Sequence, residues 1–294
     1  MRLISTGHAG AETLGIAHGD RWLPAAEIVA DGPRTITDLL AAGGSGLEAL
    51  AAAVGDGARI RDGGLPLDGQ GLLAPMPRPG KIVGIGRNYK EHTAEEGVEP
   101  PGAPLIFGKW PTTVVGPGAE IRWDPALSAE VDYEAELGVV IGRRVRRVEQ
   151  GAALEYVLGY TCLNDVSARD LQFGDGQWVR GKSLDTFCPM GPAIVTTDEI
   201  PDPQRLRISC TVNGDRRQDG TTADMYFGVA EIVSYCSRSF TLEPGDVIAT
   251  GTPSGVGVFS KPPRFLTDGD EIVVEVEGIG LLENTCRFDT GASA

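Results

Sequence analysis

The sequence predicts an α+β fold that is mostly β. A small N-terminal α/β unit covers residues 1–74, and a larger, folded-over β-rich domain covers 75–294. Three observations carry this. From Lys81 onward, short β-rich runs bounded by Gly, Pro and Asp recur while helical stretches are few. The 41 glycines and 20 prolines supply the tight turns that many strands need. Three prolines between Pro75 and Pro79, in LLAPMPRPGK, mark an extended connector between the two parts.

In chain order, MRLIST and LGIAHGDRWLPA read as short strands broken by Gly and Asp. ITDLLAAG and GLEALAAAV read as short helices, the first capped by Thr35 or Thr37. Beyond the connector, KIVGIG, PLIFGKW, AELGVVIG, AIVTTDEI, LRISCTVNG, DVIATG and DEIVVEVEG read as strands. Helices are expected near Asn88–Glu96, Gly151–Leu158 and Gly228–Phe240. Many strands with few helices point away from a doubly wound parallel sheet.

The net charge of −15 argues against nucleic acid or an anionic membrane as partner. It leaves room for an anionic small molecule, because a bound metal reverses the sign of a site. Cys162, Cys188, Cys210, Cys236 and Cys286 are widely spread with no C-x-x-C, so reduced, partly buried thiols in a cytoplasmic protein are expected. His8, His18 and His92 are the only imidazoles, which excludes most zinc-site patterns. No signal peptide is read at MRLISTGHAG, and no apolar run approaches the ~18 residues that span a bilayer.

Four constellations carry chemistry. In DYEAELGVVIG, Glu134 and Glu136 stand two apart on a strand and so share a face. An isolated E-x-E is ordinarily a solvated strand face. Here the sequel LGVVIG is nearly all apolar, as in a strand buried on both sides, and acids entering it need partners. Asp165, about thirty residues on in GYTCLNDVSARD, can complete a three-carboxylate cage for a hard cation. Asp132 has the same parity, so spacing alone does not choose the pair.

In NYKEHTAEEG, His92 and Glu95 are neighbours on a helical turn, where a carboxylate orients an imidazole as a base. The bland alternative is a surface ion pair. In GQWVRGKSLDTFCPMGP, Lys182 is either an ordinary exposed lysine or a clamp for a carboxylate or enolate oxygen. PGDVIATGTPSGVG is a glycine-rich turn whose backbone N–H groups can face an anion, and it matches no nucleotide-binding loop.

Taken together, the chain resembles the fumarylacetoacetate hydrolase family. Five blocks occur in the family's order between about Lys81 and Gly280: G-x-N-Y-x-x-H with a following Glu, D-x-E-x-E-L, N-D-V-S-A-R-D-x-Q, G-K-S-x-D-T-F-x-P-x-G-P, and P-G-D-x-I-x-T-G-T-P-x-G-V-G. The first 74 residues resemble the small N-terminal domain of many bacterial members. The resemblance implies a mixed β-sheet roll or barrel, usually a homodimer, holding Mg²⁺ or Mn²⁺, with Ca²⁺ in some members. It assigns Glu134, Glu136 and Asp165 as metal ligands, His92 and Glu95 as the catalytic dyad, and Lys182 as the lysine beside the metal. Tyr89, Arg169, Gln172, Lys182 and Thr252 fall on substrate-binding positions. One departure is plain: a fourth carboxylate ligand upstream of the histidine, present in the eukaryotic enzyme, has no counterpart here. The wording of the blocks is nearer to bacterial diketo-acid hydrolases and hydroxymuconate-type isomerases.

The expected chemistry is metal-dependent hydrolysis of a C–C bond in a 1,3-dicarbonyl acid, such as an acylpyruvate, through an enolate. His92 would activate water and Lys182 would hold the negative charge. Decarboxylation and enol–keto isomerisation of a 2-oxo acid, or a lyase step, pass through the same enolate and are the alternatives.

Overall fold

The computed structural model describes residues 1–67 and 71–291. The N-terminal part runs β1 (Arg2–His8), β2 (Ala11–His18), β3 (Arg21–Pro24), α1 (Ala25–Ile28), α2 (Ile36–Val54), α3 (Ala58–Gly63), β4 (Leu65–Pro66) and β5 (Leu72–Leu73). Thr35 caps α2 in a reciprocal box: its hydroxyl accepts the Asp38 N–H, and the Asp38 carboxylate accepts the Thr35 N–H. The two helices expected here run as one, kinked at Gly43, whose φ of 66° suits only glycine.

The larger part continues with β6 (Ile82–Gly86), α4 (Lys90–Glu96), β7 (Leu105–Lys109), β8 (Val114–Val115), β9 (Glu120–Trp123), β10 (Val131–Asp132), β11 (Ala135–Ile141), β12 (Val157–Asn164) and β13 (Ser167–Ala168). Then come α5 (Arg169–Asp175), β14 (Cys188–Thr196), β15 (Arg207–Val212), β16 (Asp215–Thr221), α6 (Val229–Ser239), β17 (Val247–Ala249), β18 (Glu271–Val276) and β19 (Gly280–Phe288). The helix expected around Gly151–Leu158 is instead a 3-10 turn over Gln150–Tyr156 that leads straight into β12. Val157, β-branched and already extended, ends it.

The fold is α+β and mostly β, as the sequence predicts. A central sheet has the order β4-β3-β2-β1-β14-β12-β11-β17-β6-β7, with β5 added on β1 and β8 on β14. A second sheet, β16-β15-β18-β19-β9, packs β15, β18 and β19 against β11, β12 and β14. The expected boundary at 74/75 is crossed by the central sheet: Arg2 and Leu3 of β1 pair with Val195 and Ile194 of β14.

Two cores flank β11, which explains its unbroken apolar run. Leu137, Val139 and Ile141 join Ile208, Val274 and Leu282 between the sheets. Val140, with Leu158 and Leu163 of β12, meets Leu39 and Leu50 of α2 on the other side. Each fully buried side chain of this size stabilises the fold by roughly 1.5–3 kcal/mol.

Candidate metal centre and active site

The antiparallel register of β11 and β12 assembles the three acids. Ala135 pairs with Asn164 and Glu136 with Leu163, so Glu134 meets Asp165 where the strands end. The Asp165 N–H donates to the Glu134 carbonyl at 2.9 Å, continuing the ladder by one step. Glu134, Glu136 and Asp165 are all buried, and each offers an oxygen within 4.8 Å of the others. Asp132 leaves the group despite its parity. It accepts the N–H groups of Gly257 and Val258 at 2.7 and 3.0 Å and pairs with Arg169.

Cations surround the cage. Lys182, 2% exposed, donates from Nζ to Glu134 Oε2 at 2.7 Å and Asp165 Oδ2 at 2.8 Å. Arg169 Nη1 lies 2.7 Å from Glu134 Oε1, and its Nε donates to Asp132 Oδ2. Burial pushes the Glu134 carboxyl up, but Lys182 and Arg169 outweigh it and hold it at about 2. Burial likewise works against the Lys182 ammonium, and Asp165 with Glu134 more than compensates, so its pKa is raised.

Glu136 has no such partner. Burial, then the charges of Asp165 and Glu134, push its carboxyl well above the usual range, against the pull of Lys182 and the Gly251 N–H at 2.8 Å. Gly251 makes that approach with φ 96°, and a Cβ there would stand 2.8 Å from that of Asn88. Three buried carboxyl groups, one of them with its pKa pushed up by burial and by the other two, fit a hard divalent cation.

His92 and Glu95 stand side by side on α4. His92 Nδ1 lies 2.8 Å from Glu95 Oε1, and Glu95 Oε2 accepts the Gly255 N–H at 2.9 Å. The glycine-rich turn therefore orients the orienter. With Nδ1 engaged, Nε2 is the ring atom left for chemistry. His92, Glu134, Glu136, Lys182, Arg169, Gln172 and Thr252 line one pocket. Thr252 enters it with its hydroxyl engaged, donating to the Ala135 carbonyl and accepting from Gln218 Nε2. Tyr89 does not line the pocket; it is buried beside Glu136, and its hydroxyl finds no partner among the described residues.

Lys109 was not legible as a site residue. It is fully buried, donates to the Val166 and Lys182 carbonyls, and sits 2.7 Å from Asp165 Oδ1. That last contact lacks hydrogen-bond alignment. The available signal was parity: in PLIFGK it shares a face with Leu105 and Phe107, where a lysine requires a partner. Arg87, Glu96 and Trp178 also line the pocket unforeseen.

The thiols are free and buried, and burial pushes Cys162, Cys188 and Cys236 up to about 12. Among the described residues no helix is long and apolar enough to cross a membrane.

The raised Glu136 pKa fixes a sign. Metal ligation needs the carboxylate, so cation uptake releases a proton and affinity rises with pH. Titration calorimetry in buffers of different ionisation heat is expected to give different apparent enthalpies for Mg²⁺. Glu136→Gln should weaken the cation by at least the roughly 10–100-fold typical of outer-sphere changes; equal affinity removes Glu136 from the ligand set. Without metal, stability falls as pH rises through the raised folded-state value of Glu136. The contribution of Glu134 is lost only as pH falls through about 2.

The sequence pattern of the fumarylacetoacetate (FAA) hydrolase C-terminal family matches residues 81–287. The mitochondrial oxaloacetate tautomerase FAHD2B of Bos taurus is 44% identical over 254 residues, covering 86% of this chain and 79% of that protein. The oxaloacetate tautomerase YisK of Bacillus subtilis is 46% identical over 216 residues, 72% of each chain. The solved fumarylacetoacetate hydrolase of Exiguobacterium antarcticum superposes with a TM-score of 0.81 at 38% identity, covering 98% of this chain and 100% of that one.

Proposed function

This chain belongs to the fumarylacetoacetate (FAA) hydrolase C-terminal family, and from that premise we propose that it interconverts the enol and keto forms of a small anionic 2-oxo acid, oxaloacetate first among them. The observation that carries the reading is the His92–Glu95 pair opening on the same pocket as Lys182 and the carboxylate cage. The oxaloacetate tautomerases among its relatives favour this reaction over C–C hydrolysis.

Glu134, Glu136 and Asp165 would hold a divalent cation, Mg²⁺ or Mn²⁺ and less aptly Ca²⁺, which would supply Lewis acidity to the 2-oxo oxygen. Lys182 places a second positive charge beside that oxygen, where the enolate's charge gathers. His92 takes a proton at Nε2 from C3 or from the enol hydroxyl and returns it at the other position. Glu95 holds the ring and stabilises the imidazolium between the two transfers. Arg169 and Gln172 fix the wall from which the substrate carboxylate is approached. No water is consumed, so one base serves both directions.

Hydrolysis of an acylpyruvate is the second reading. It is favoured by the likeness to the E. antarcticum hydrolase and by a dyad equally able to activate water. Adding the Mg²⁺-loaded protein to oxaloacetate enol is expected to speed its ultraviolet decay, a chelator to stop it, and an acylpyruvate to remain intact. Cleavage of the acylpyruvate with enol decay at background would return the reading to hydrolysis.

A further inference from the structure

An aromatic wall joins two cations of the pocket. Lys182 Nζ lies 5.2 Å from the Phe107 ring centroid, Phe107 meets Trp178 edge-on at 5.5 Å, and Arg87 Cζ sits 5.7 Å over Trp178. All four residues line the same pocket. One end of the wall is therefore the carboxylate cage with its lysine, and the other is a guanidinium.

Arg87 is held in place with one edge left over. Its Nε donates to Glu96 Oε2 at 2.9 Å and its Nη2 to Glu96 Oε1. Nη1, with two protons, has no acceptor among the described residues. The side chain is 33% exposed and that of Glu96 13%. The backbone of Arg87 has φ 56°, in the left-handed region that costs a non-glycine residue energy. An arginine whose only task was to pair with Glu96 would need neither that conformation nor a place on the pocket wall.

We propose that Arg87 is the specificity-determining residue for the second carboxylate of a dicarboxylic 2-oxo acid. The 2-oxo end faces the cage and Lys182, and the distal carboxylate accepts from Arg87 Nη1. A planar guanidinium with two donors on one edge suits a carboxylate. Trp178 covers one face of the guanidinium and helps hold it through a cation–π contact. Glu96 fixes the orientation of that edge and keeps Arg87 from collapsing toward the acids of the cage. This deepens the tautomerase reading and takes from it the placement of the 2-oxo end.

The test uses malate and lactate, which differ by one carboxylate and cannot tautomerise. Calorimetric titration of the Mn²⁺-loaded protein is expected to show malate bound about 10–100-fold more tightly, the range for a hydrogen bond to a charged group. Arg87→Met is expected to bind both acids at the level of lactate. A preference surviving in Arg87→Met, or absent from the unmodified protein, overturns the proposal. Near-ultraviolet circular dichroism verifies folding. Should Arg87→Met fail to fold, Glu96→Gln decides: a guanidinium no longer held by a carboxylate should weaken malate roughly threefold and leave lactate unchanged, and no change overturns the proposal. Neither acid reports turnover, so the outcome is separate from the enol-decay assay on which the proposed reaction stands or falls.

Discussion

Lys182→Met is expected to destabilise the metal-free protein by about 3–5 kcal/mol, the cost of breaking a buried ion pair from one side. The Nζ of Lys182 stands between Glu134 and Asp165, and all three side chains are buried. Arg169 and Lys109 remain, but each pairs with only one acid of the cage. The variant therefore buries more negative charge than it neutralises. Saturating Mg²⁺ should recover much of the loss, since it brings the missing charge to the same place. Urea unfolding with and without Mg²⁺ measures both effects. Equal midpoints for the variant and the unmodified protein without metal would mean that the ammonium contributes nothing there. Activity should fall on the order of 10²–10³-fold even with metal bound, the usual cost of removing one donor to a developing oxyanion.

His92→Ala is expected to lower kcat for enol–keto interconversion by about 10²–10⁴-fold and to leave Mn²⁺ affinity within a factor of about two. The two readouts separate a base from a ligand. His92 lines the pocket with its Nδ1 bound to Glu95, and it is no member of the carboxylate group. Glu95→Gln should give a smaller loss in the same direction, because the amide still reaches Gly255 but no longer stabilises an imidazolium. Near-normal turnover in His92→Ala would remove the histidine from the reaction. A collapse of metal affinity would mean that it belongs to the cage.

The cage was readable in the sequence to a definite depth. The parity of Glu134 and Glu136 and the apolar run after them marked two acids entering a buried strand. That Asp165 lies across from Glu134 depends on the pairing of β11 with β12, which no local pattern states. Resemblance to a family supplied the ligand set without that pairing, and it also set Asp132 aside. The fate of Asp132 has a local cause, the N–H groups of Gly257 and Val258, contributed by a turn more than a hundred residues away. Lys109 escaped notice because a lysine closing a strand is usually solvated; its burial is produced by carbonyls of Val166 and Lys182, both distant in sequence. Elements were legible where periodicity was local, as in Val229–Ser239. They were less so where a single glycine decided the geometry, as Gly43 does by bending two expected helices into one.

The pairing of β1 with β14 also determines what can be cut away. β14 stands between the catalytic strands and the N-terminal ones, and Ile194 and Val195 have their outer hydrogen bonds taken by Leu3 and Arg2. A chain trimmed at the proline connector would bare the stretch of β14 at Ile194 and Val195, an apolar edge with free donors and acceptors on which identical chains can add to one another. The first 74 residues thus act as a sheath. Removing them is therefore expected to make the remaining chain prone to edge-to-edge association.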